Sequence, residues 1–523
     1  MPRSAGLPSA ARIKYSIFHA KHVDWLVRGV TGWGVHLPYP RLDRSAIRDV
    51  AGAGGGKGTR TVASYDEDTT TMGAEAARGA LLVQAARVPA AGRDSRPGSL
   101  WFATTEPAYA DRTNATVLHA VLRLDRSVPA YDLTGSVRSA MAAVRAAWQA
   151  PGASLAVTAD TRTGLPGSGD EAAGGDAAAA LLFGDGNDVL AEILAWESVT
   201  EEFVDRWRAP GAVASKLWEE RFGENRYTEL GAEAIKLALG AAGIDASGID
   251  RLVVAGLHER AVAGVQRASG VPAERIADRL TAVVGNPGAA QPALLLAASL
   301  EAAAPGETIL LVTLSDGADA VLLRTTGALA SYRPARPVAV QVARGGPVSY
   351  GRYLHWRGLL PVEPPRRPEP ARVSSSAASR NTGWKYGFEA GLGDDGAVHL
   401  PPGPADDSRR SAADEVGTIV TFTIDRLSYS LSPPLVFAIV DFDGGGRLPL
   451  ELTDVAPADV VIGGRVEMTF RRLATSDGIH NYFWKGRPVR DARAADKNTA
   501  SKSAASKAAT EAGESAPDSP PEK

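Results

Sequence analysis

Residues 99–106 read Ser99-Leu-Trp-Phe-Ala-Thr-Thr-Glu106, a short apolar run that stops at an acid. Thirty residues on, Gly135-Ser136 open an alanine-rich stretch, Val137 to Gln149, and a second run, Ser154-Leu-Ala-Val-Thr-Ala-Asp160, again stops at an acid. The same order recurs later in the chain. Arg251-Leu-Val-Val-Ala-Gly-Leu-His258 ends in an imidazole, and Gly285-Asn286 follow twenty-eight residues later. A stretch of small and leucine residues then runs from Gln291 to Ala303, and Thr308-Ile-Leu-Leu-Val-Thr-Leu314 leads into Ser315-Asp316-Gly317. Such apolar runs predict buried strands, and the small-residue stretches predict helices packed closely between sheets. The matched spacing predicts a duplication: two α/β halves, each placing polar residues at strand C-termini and at a helix start. Ligands gather at such edges of open α/β sheets.

Packed about a pseudo-twofold axis, the halves bring Glu106, Ser136, His258 and Asn286 together. His258 then hydrogen-bonds a carbonyl or moves a proton, and Asn286 helps to stabilise an enolate oxygen. Glu106, partly desolvated, suits acid–base work on a carbon acid, and Ser136 sits where free N–H groups favour negative charge. Each residue also has a plain structural reading. Glu106 then serves as a surface or capping acid, His258 as a satisfied structural histidine, Ser136 as an N-cap, and Asn286 before Pro287-Gly288 as a turn residue. Only the set in paired positions favours chemistry.

Composition sets limits on the remainder. A chain of 523 residues predicts two or three domains. A formal net charge of -3 gives no electrostatic case for nucleic acid or an anionic membrane. No apolar stretch is long enough to span a bilayer, and the first 25 residues lack the apolar segment of a signal peptide, so a cytoplasmic location is expected. There is no cysteine, which excludes disulfides, thiolate zinc sites and cysteine nucleophiles.

Five segments follow from composition: an N-terminal extension, 1–26; the duplicated α/β domain, 27–333; a Pro-, Arg- and Ser-rich connector, 334–410; a β-rich domain, 411–490; and a low-complexity tail, 491–523. In the β-rich domain, the runs beginning at Thr418, Leu435, Arg447 and Arg465 alternate apolar and polar residues, and Asp443-Gly-Gly-Gly446 marks a hairpin turn. Several short strands in so few residues predict a small closed barrel of the OB type, with Tyr482, Phe483 and Trp484 closing it.

The first domain resembles the 3-hydroxy-3-methylglutaryl-CoA synthase branch of the thiolase superfamily, related to ketoacyl synthase III. The resemblance is carried by Asp66-Glu-Asp-Thr-Thr-Thr-Met-Gly-Ala-Glu-Ala-Ala77, Thr104-Thr-Glu-Pro107, Leu133-Thr-Gly-Ser-Val-Arg-Ser-Ala140 and Thr158-Ala-Asp-Thr-Arg162. It continues, in order, through Gly175-Asp-Ala-Ala-Ala-Ala-Leu-Leu182, Gly256-Leu-His258, Val284-Gly-Asn286 and Leu314-Ser-Asp-Gly317. It implies a five-layer α-β-α-β-α fold, a homodimer, and an acyl-CoA thioester as substrate, with no tightly bound cofactor and no metal. In such synthases a Glu, a Cys, a His and an Asn cooperate. Those roles fall here on Glu106, Ser136, His258 and Asn286, with Ser315 and Gly317 as CoA contacts. Ser136 stands in the position of the acyl-accepting cysteine, and a serine hydroxyl needs a dedicated base that nothing adjacent supplies. The loop after His258, Glu259-Arg-Ala-Val262, has no lysine where the family contacts CoA phosphate.

The C-terminal part resembles an acyl-CoA-associated family that joins a zinc ribbon to an OB fold, from Gly383-Trp-Lys-Tyr-Gly387 through Val398-His-Leu-Pro-Pro402 to Tyr482-Phe483. The family's two Cys pairs are replaced by Leu392-Gly-Asp-Asp-Gly396 and Asp406-Asp-Ser-Arg409, so the ribbon is degenerate. Proteins of this kind act beside thiolases, which makes a separate thiolase an expected partner. The leading functional expectation is acyl-CoA-dependent C–C bond formation or cleavage. The alternatives are a non-catalytic acyl-CoA carrier, and a synthase that uses Ser136 as its nucleophile.

Overall fold

The computed structural model describes residues 27–87, 96–404, 406 and 408–490; the expected N-terminal extension and tail lie outside them. The duplication predicted from spacing is present in the strand order. In the first half the strands run Ala130–Thr134, Leu100–Thr104, Ser154–Thr161, Asp176–Asp185 and Arg28–His36 across the sheet. In the second half the order is Arg251–Gly256, Thr308–Leu314, Ala318–Thr325 and Ala191–Val199. The outermost strand of that half is reduced to a single parallel bridge between Ile276 and Leu252. The halves join edge to edge through Gly29 opposite Glu192 and Val30 opposite Ala191, giving one nine-stranded sheet. Every residue of Thr308–Leu314 is buried, as expected for a strand covered on both faces.

Gly29 sits at this junction for a steric reason. A Cβ there would lie 2.0 Å from the Ala191 carbonyl oxygen. Gly29→Ala is therefore expected to destabilise the chain by about 1–3 kcal/mol, measured as a lowered melting temperature; an unchanged value would remove the junction from the list of tight contacts.

Alternating residues of the strands face two different cores. Ala156, Leu181, Val253 and Leu311 pack in one cluster with Met141, Val144, Leu294 and Leu296. Those last four come from the helices Ser139–Gln149 and Gln291–Ala302, which lie between the halves. The opposite faces carry Val157 and Leu182 against helix Thr69–Arg87, and Val254 and Val312 against helices Glu220–Ala242 and Glu259–Ala268. The result is the expected α-β-α-β-α layering.

Residues 416–488 close a barrel from the strands Val416–Asp425, Leu435–Phe442, Arg447–Leu452, Arg465–Ser476 and Ile479–Pro488. The first strand pairs the fourth and the third meets the fifth at Leu452 and Gly486, so no long edge is left open. Tyr482 and Trp484 are buried in its core, in line with their predicted closing role, and the barrel core is continuous with the outer face of helix Thr69–Arg87.

Part of the Pro- and Arg-rich connector does more than link domains. Strand Gly346–Val348 pairs with Pro40–Asp43, and helix Tyr350–Trp356 buries Tyr350 and Tyr353 beside Leu42, Ile47 and Val62. Composition missed this because the few buried aromatics are diluted among exposed arginines and prolines. Where the degenerate ribbon was expected, Glu389–Leu392, Val398–His399 and Ser408–Ser411 form a three-stranded sheet. There the His399 ring hydrogen-bonds the Asp406 carboxylate at 2.7 Å, which holds that carboxyl below its usual range.

Candidate functional site

Ser136 and His258 line one cavity of about 100 Å³ at the strand edge where the halves meet. Ser136 follows strand Ala130–Thr134 through Gly135, and helix Ser139–Gln149 starts three residues later. Its carbonyl accepts the Ser139 N–H at 3.1 Å, and no side chain caps the helix, so the N-cap reading of the Ser136 hydroxyl is replaced. His258 is itself the N-cap of helix Glu259–Ala268: its Nδ1 accepts the Ala261 N–H at 3.2 Å. That bond places the ring proton on Nε2, which donates to the Glu220 carbonyl at 2.9 Å. The imidazole is thus a donor aimed at a carbonyl oxygen.

Asn286 lies next door, in a pocket of about 20 Å³ that shares Arg162, Arg206 and Leu257 with the first. Its amide donates to the Gly256 carbonyl at 2.8 Å and its oxygen accepts the Gly288 N–H at 3.0 Å. The neighbouring backbones approach so closely that a Cβ on Gly285 would lie 2.1 Å from the Gly174 oxygen. Ser315 lines the larger cavity, but Gly317 does not; it turns back against Val199 and Arg138. Glu106 is also outside it. The expected desolvated acid has a side chain 47% exposed and is ion-paired with Arg208, whose guanidinium also reaches the Thr105 carbonyl. A basic residue a hundred and two positions on in the chain overrode the strand-end environment that the sequence suggested.

Three further residues shape the site. Arg162 lines both pockets, with Thr105 Oγ at 3.3 Å and the Asp160 carboxylate at 3.8 Å; burial and the nearby Arg206 and Arg208 draw its guanidinium below the ordinary range. Asp160, pushed up by burial, accepts the Thr105 N–H at 3.1 Å and the Ala289 N–H at 3.0 Å, and so ties the first half to the second. Tyr227 lines the larger cavity and donates to Asp205 at 3.0 Å, its hydroxyl pushed up by burial and by that carboxylate. Arg162 and Asp160 stand in a stretch that carried the family resemblance, so a signal for them was present. Arg208 and Tyr227 belong to the 203–227 segment, where no periodicity fixes direction. Arginines 162, 206 and 208 line the cavity beside Asp205 and Asp316, and each also meets an acid, Asp160, Asp170 and Glu106 in turn, so that their N–H groups are held in place as donors for a developing oxyanion.

The chain aligns along most of the length of known synthases. A hydroxymethylglutaryl-CoA synthase of Aeropyrum pernix is 28% identical over 349 residues, covering 64% of this chain and 95% of that protein. Another, from Methanothermobacter thermautotrophicus, is 26% identical and covers 64% of this chain and 99% of that protein. Among solved structures, an HMG-CoA synthase complexed with CoA superposes with a TM-score of 0.54 at 15% identity, over 63% of this chain and 89% of the other. MvaS in complex with 3-hydroxy-3-methylglutaryl coenzyme A gives 0.52 at 18% identity, over 66% and 95%. Residues 411–471 match the family described as the ChsH2 C-terminal OB-fold domain. The chain thus joins a domain similar to HMG-CoA synthases, with their fold, to a C-terminal domain that matches an OB-fold family. In this synthase-like domain the barrel does not line the Ser136–His258 cavity. It instead holds the Asp66-Glu67-Asp68 stretch: Arg471 pairs Asp66 at 3.2 Å and Glu67 at 3.0 Å, and the Tyr482 hydroxyl donates to Asp68 at 2.8 Å. No helix among the described residues is long and apolar enough to cross a membrane.

Proposed function

We propose that this synthase-like enzyme makes or breaks a carbon–carbon bond beside the carbonyl of an acyl-CoA thioester, by aldol, retro-aldol or Claisen chemistry without an acyl-cysteine. One observation carries the reading: Ser136 and His258 share a cavity ringed by arginines at the strand edge of an HMG-CoA synthase-like fold. The thioester oxygen takes the place of the Glu220 carbonyl on His258 Nε2, with Asn286 and Arg162 beside it. In the aldol direction Glu106, turned from Arg208, accepts the α-proton. The enolate carbon then forms the new bond to a second carbonyl, and the resulting alkoxide takes the proton back from Glu106. Charge builds up on the thioester oxygen, where fixed donors and cations act most strongly. A serine without a base adds hydrogen bonding to this scheme but no acyl-enzyme.

A second reading, a non-catalytic acyl-CoA carrier, has its own support: His258, Asn286 and Glu106 are each already engaged by protein groups. The full-length protein, mixed with acetyl-CoA and acetoacetyl-CoA and with 3-hydroxyacyl-CoA thioesters, separates the readings. Chromatography is expected to show new or shortened CoA thioesters, and intact mass after acid quench is expected to show no acyl adduct. Binding with no turnover would establish the carrier, and an adduct on Ser136 would establish the nucleophile. Two copies per assembly and a separate thiolase supplying the thioester complete the proposal; light scattering and co-purification test them.

A further inference from the structure

A cavity of about 570 Å³ lies away from Ser136, between the α/β domain and the barrel. It is rich in arginine, and the charges do not cancel. The four acids on its wall each have a cation: Asp414 pairs Arg78 at 2.7 Å, Asp454 pairs Arg471 at 2.6 Å, Glu467 pairs Arg487 at 2.8 Å, and Glu415 pairs Arg410. Arg336 is matched by Glu75 at 3.0 Å. Among the described residues Arg41, Arg344 and Arg490, also on the wall, have no ion-pair partner.

Arg41 is the informative one. It is 7% exposed, and its guanidinium meets only carbonyl oxygens, among them Gln341 at 3.0 Å and Tyr39 at 3.2 Å. Burial lowers its pKa to about 10 against the opposing pull of Glu67, Tyr39 and Asp454, none of which reaches it as an ion pair. Burial and the neighbouring Arg487 draw Arg336 down as well. The Nε atoms of Arg41 and Arg344 are buried without a hydrogen-bond partner among the described residues. Arg490 lies 3.8 Å over the Tyr39 ring. Planar guanidiniums of this kind match phosphate oxygens in pairs, and the volume is that of a nucleotide-sized site. Leu37, Leu82, Val340 and Met468 supply an apolar wall for the rest of such a molecule.

We propose that the interdomain cavity is a second ligand site, which takes a phosphorylated molecule of nucleotide size and holds its phosphate oxygens with Arg41, Arg344 and Arg490. A ligand there contacts both domains and fixes them together. This inference stands independently of the chemistry assigned to the Ser136 cavity. Calorimetric titration of the full-length protein with pyrophosphate, ADP, adenosine 3′,5′-bisphosphate and CoA tests it. At least one probe is expected to bind one per chain and raise the melting temperature. Arg344→Gln with Arg490→Gln is expected to weaken that binding at least tenfold, and Arg344→Gln alone at least threefold, without lowering the melting temperature of the free protein. Binding of pyrophosphate alone, of ADP, or of CoA alone identifies inorganic, nucleotide or CoA phosphate as the source. Absence of binding by all four at millimolar concentration, or binding that both variants leave unchanged, overturns the site.

Discussion

Arg471→Ala is expected to cost about 3–5 kcal/mol, the largest stability loss of any single substitution considered. The Arg471 side chain is fully buried and reaches Asp66 at 3.2 Å, Glu67 at 3.0 Å and Asp454 at 2.6 Å. Lys485 adds a second buried cation, 3.0 Å from Asp66, and His36 Nε2 meets Glu67 at 2.7 Å. Removing Arg471 leaves carboxylates in the interior with too few cations, a cost far above that of losing an exposed ion pair. Because these groups come from both domains, the loss falls on their contact. Calorimetry of the full chain is expected to show an earlier transition, and limited proteolysis to release the barrel; an unchanged melting temperature would show that the network is dispensable. Removing a whole pair, Asp66→Leu with Lys485→Met, is expected to cost less than Arg471→Ala, since it strands fewer charges.

The same network sets an acid limit. Asp66 is held below the usual carboxylate range by Lys485 and then Arg471, Glu67 by Arg471 and His36, and Glu75 by Arg78, Arg336 and Arg487. A carboxylate with a depressed folded pKa stabilises the fold above its unfolded pKa and loses that contribution as the pH falls through the folded value. Stability is therefore expected to decline below about pH 4. Asp454, pushed up by burial, acts in the opposite sense. Denaturation midpoints between pH 3 and 7 check the sign: a midpoint that rises on acidification would contradict it.

The largest effect on activity is expected at His258. His258→Ala should lower kcat/KM for the C–C step by about 10²–10³, the loss typical of one donor to a developing oxyanion. The substitution also removes the cap on helix Glu259–Ala268, worth about 1 kcal/mol. His258→Asn restores a capping side chain without restoring the imidazole donor, so an activity loss shared by both variants belongs to chemistry, and a melting shift confined to His258→Ala belongs to the cap. Full turnover in both variants would leave His258 as a structural histidine.

Strand identity, the duplication and the barrel were legible because each is written locally. Runs such as Thr308–Leu314 and the alternation in Leu435–Phe442 fix their own faces within a few residues. The matched spacing of Ser136 and Asn286 after their partner strands predicted that the halves bring polar ends together. It did not predict which side chains would enter one cavity. Glu106 leaves it because Arg208, a hundred and two residues distant, holds its carboxylate, and Gly317 leaves it because its backbone turns toward Val199.

Alone, then, the sequence determined two α/β halves, a barrel, the absence of a cysteine nucleophile and the strand ends where a ligand belongs. Tertiary structure decided the pairing of Glu106 with Arg208, the N-cap geometry of His258, the arginines around the cavity and the buried charges between domains. The physical reason is range. Strand and helix patterns arise from neighbours along the chain, whereas ion pairs and burial depend on groups such as Asp66 and Arg471, which meet only after the whole chain has folded.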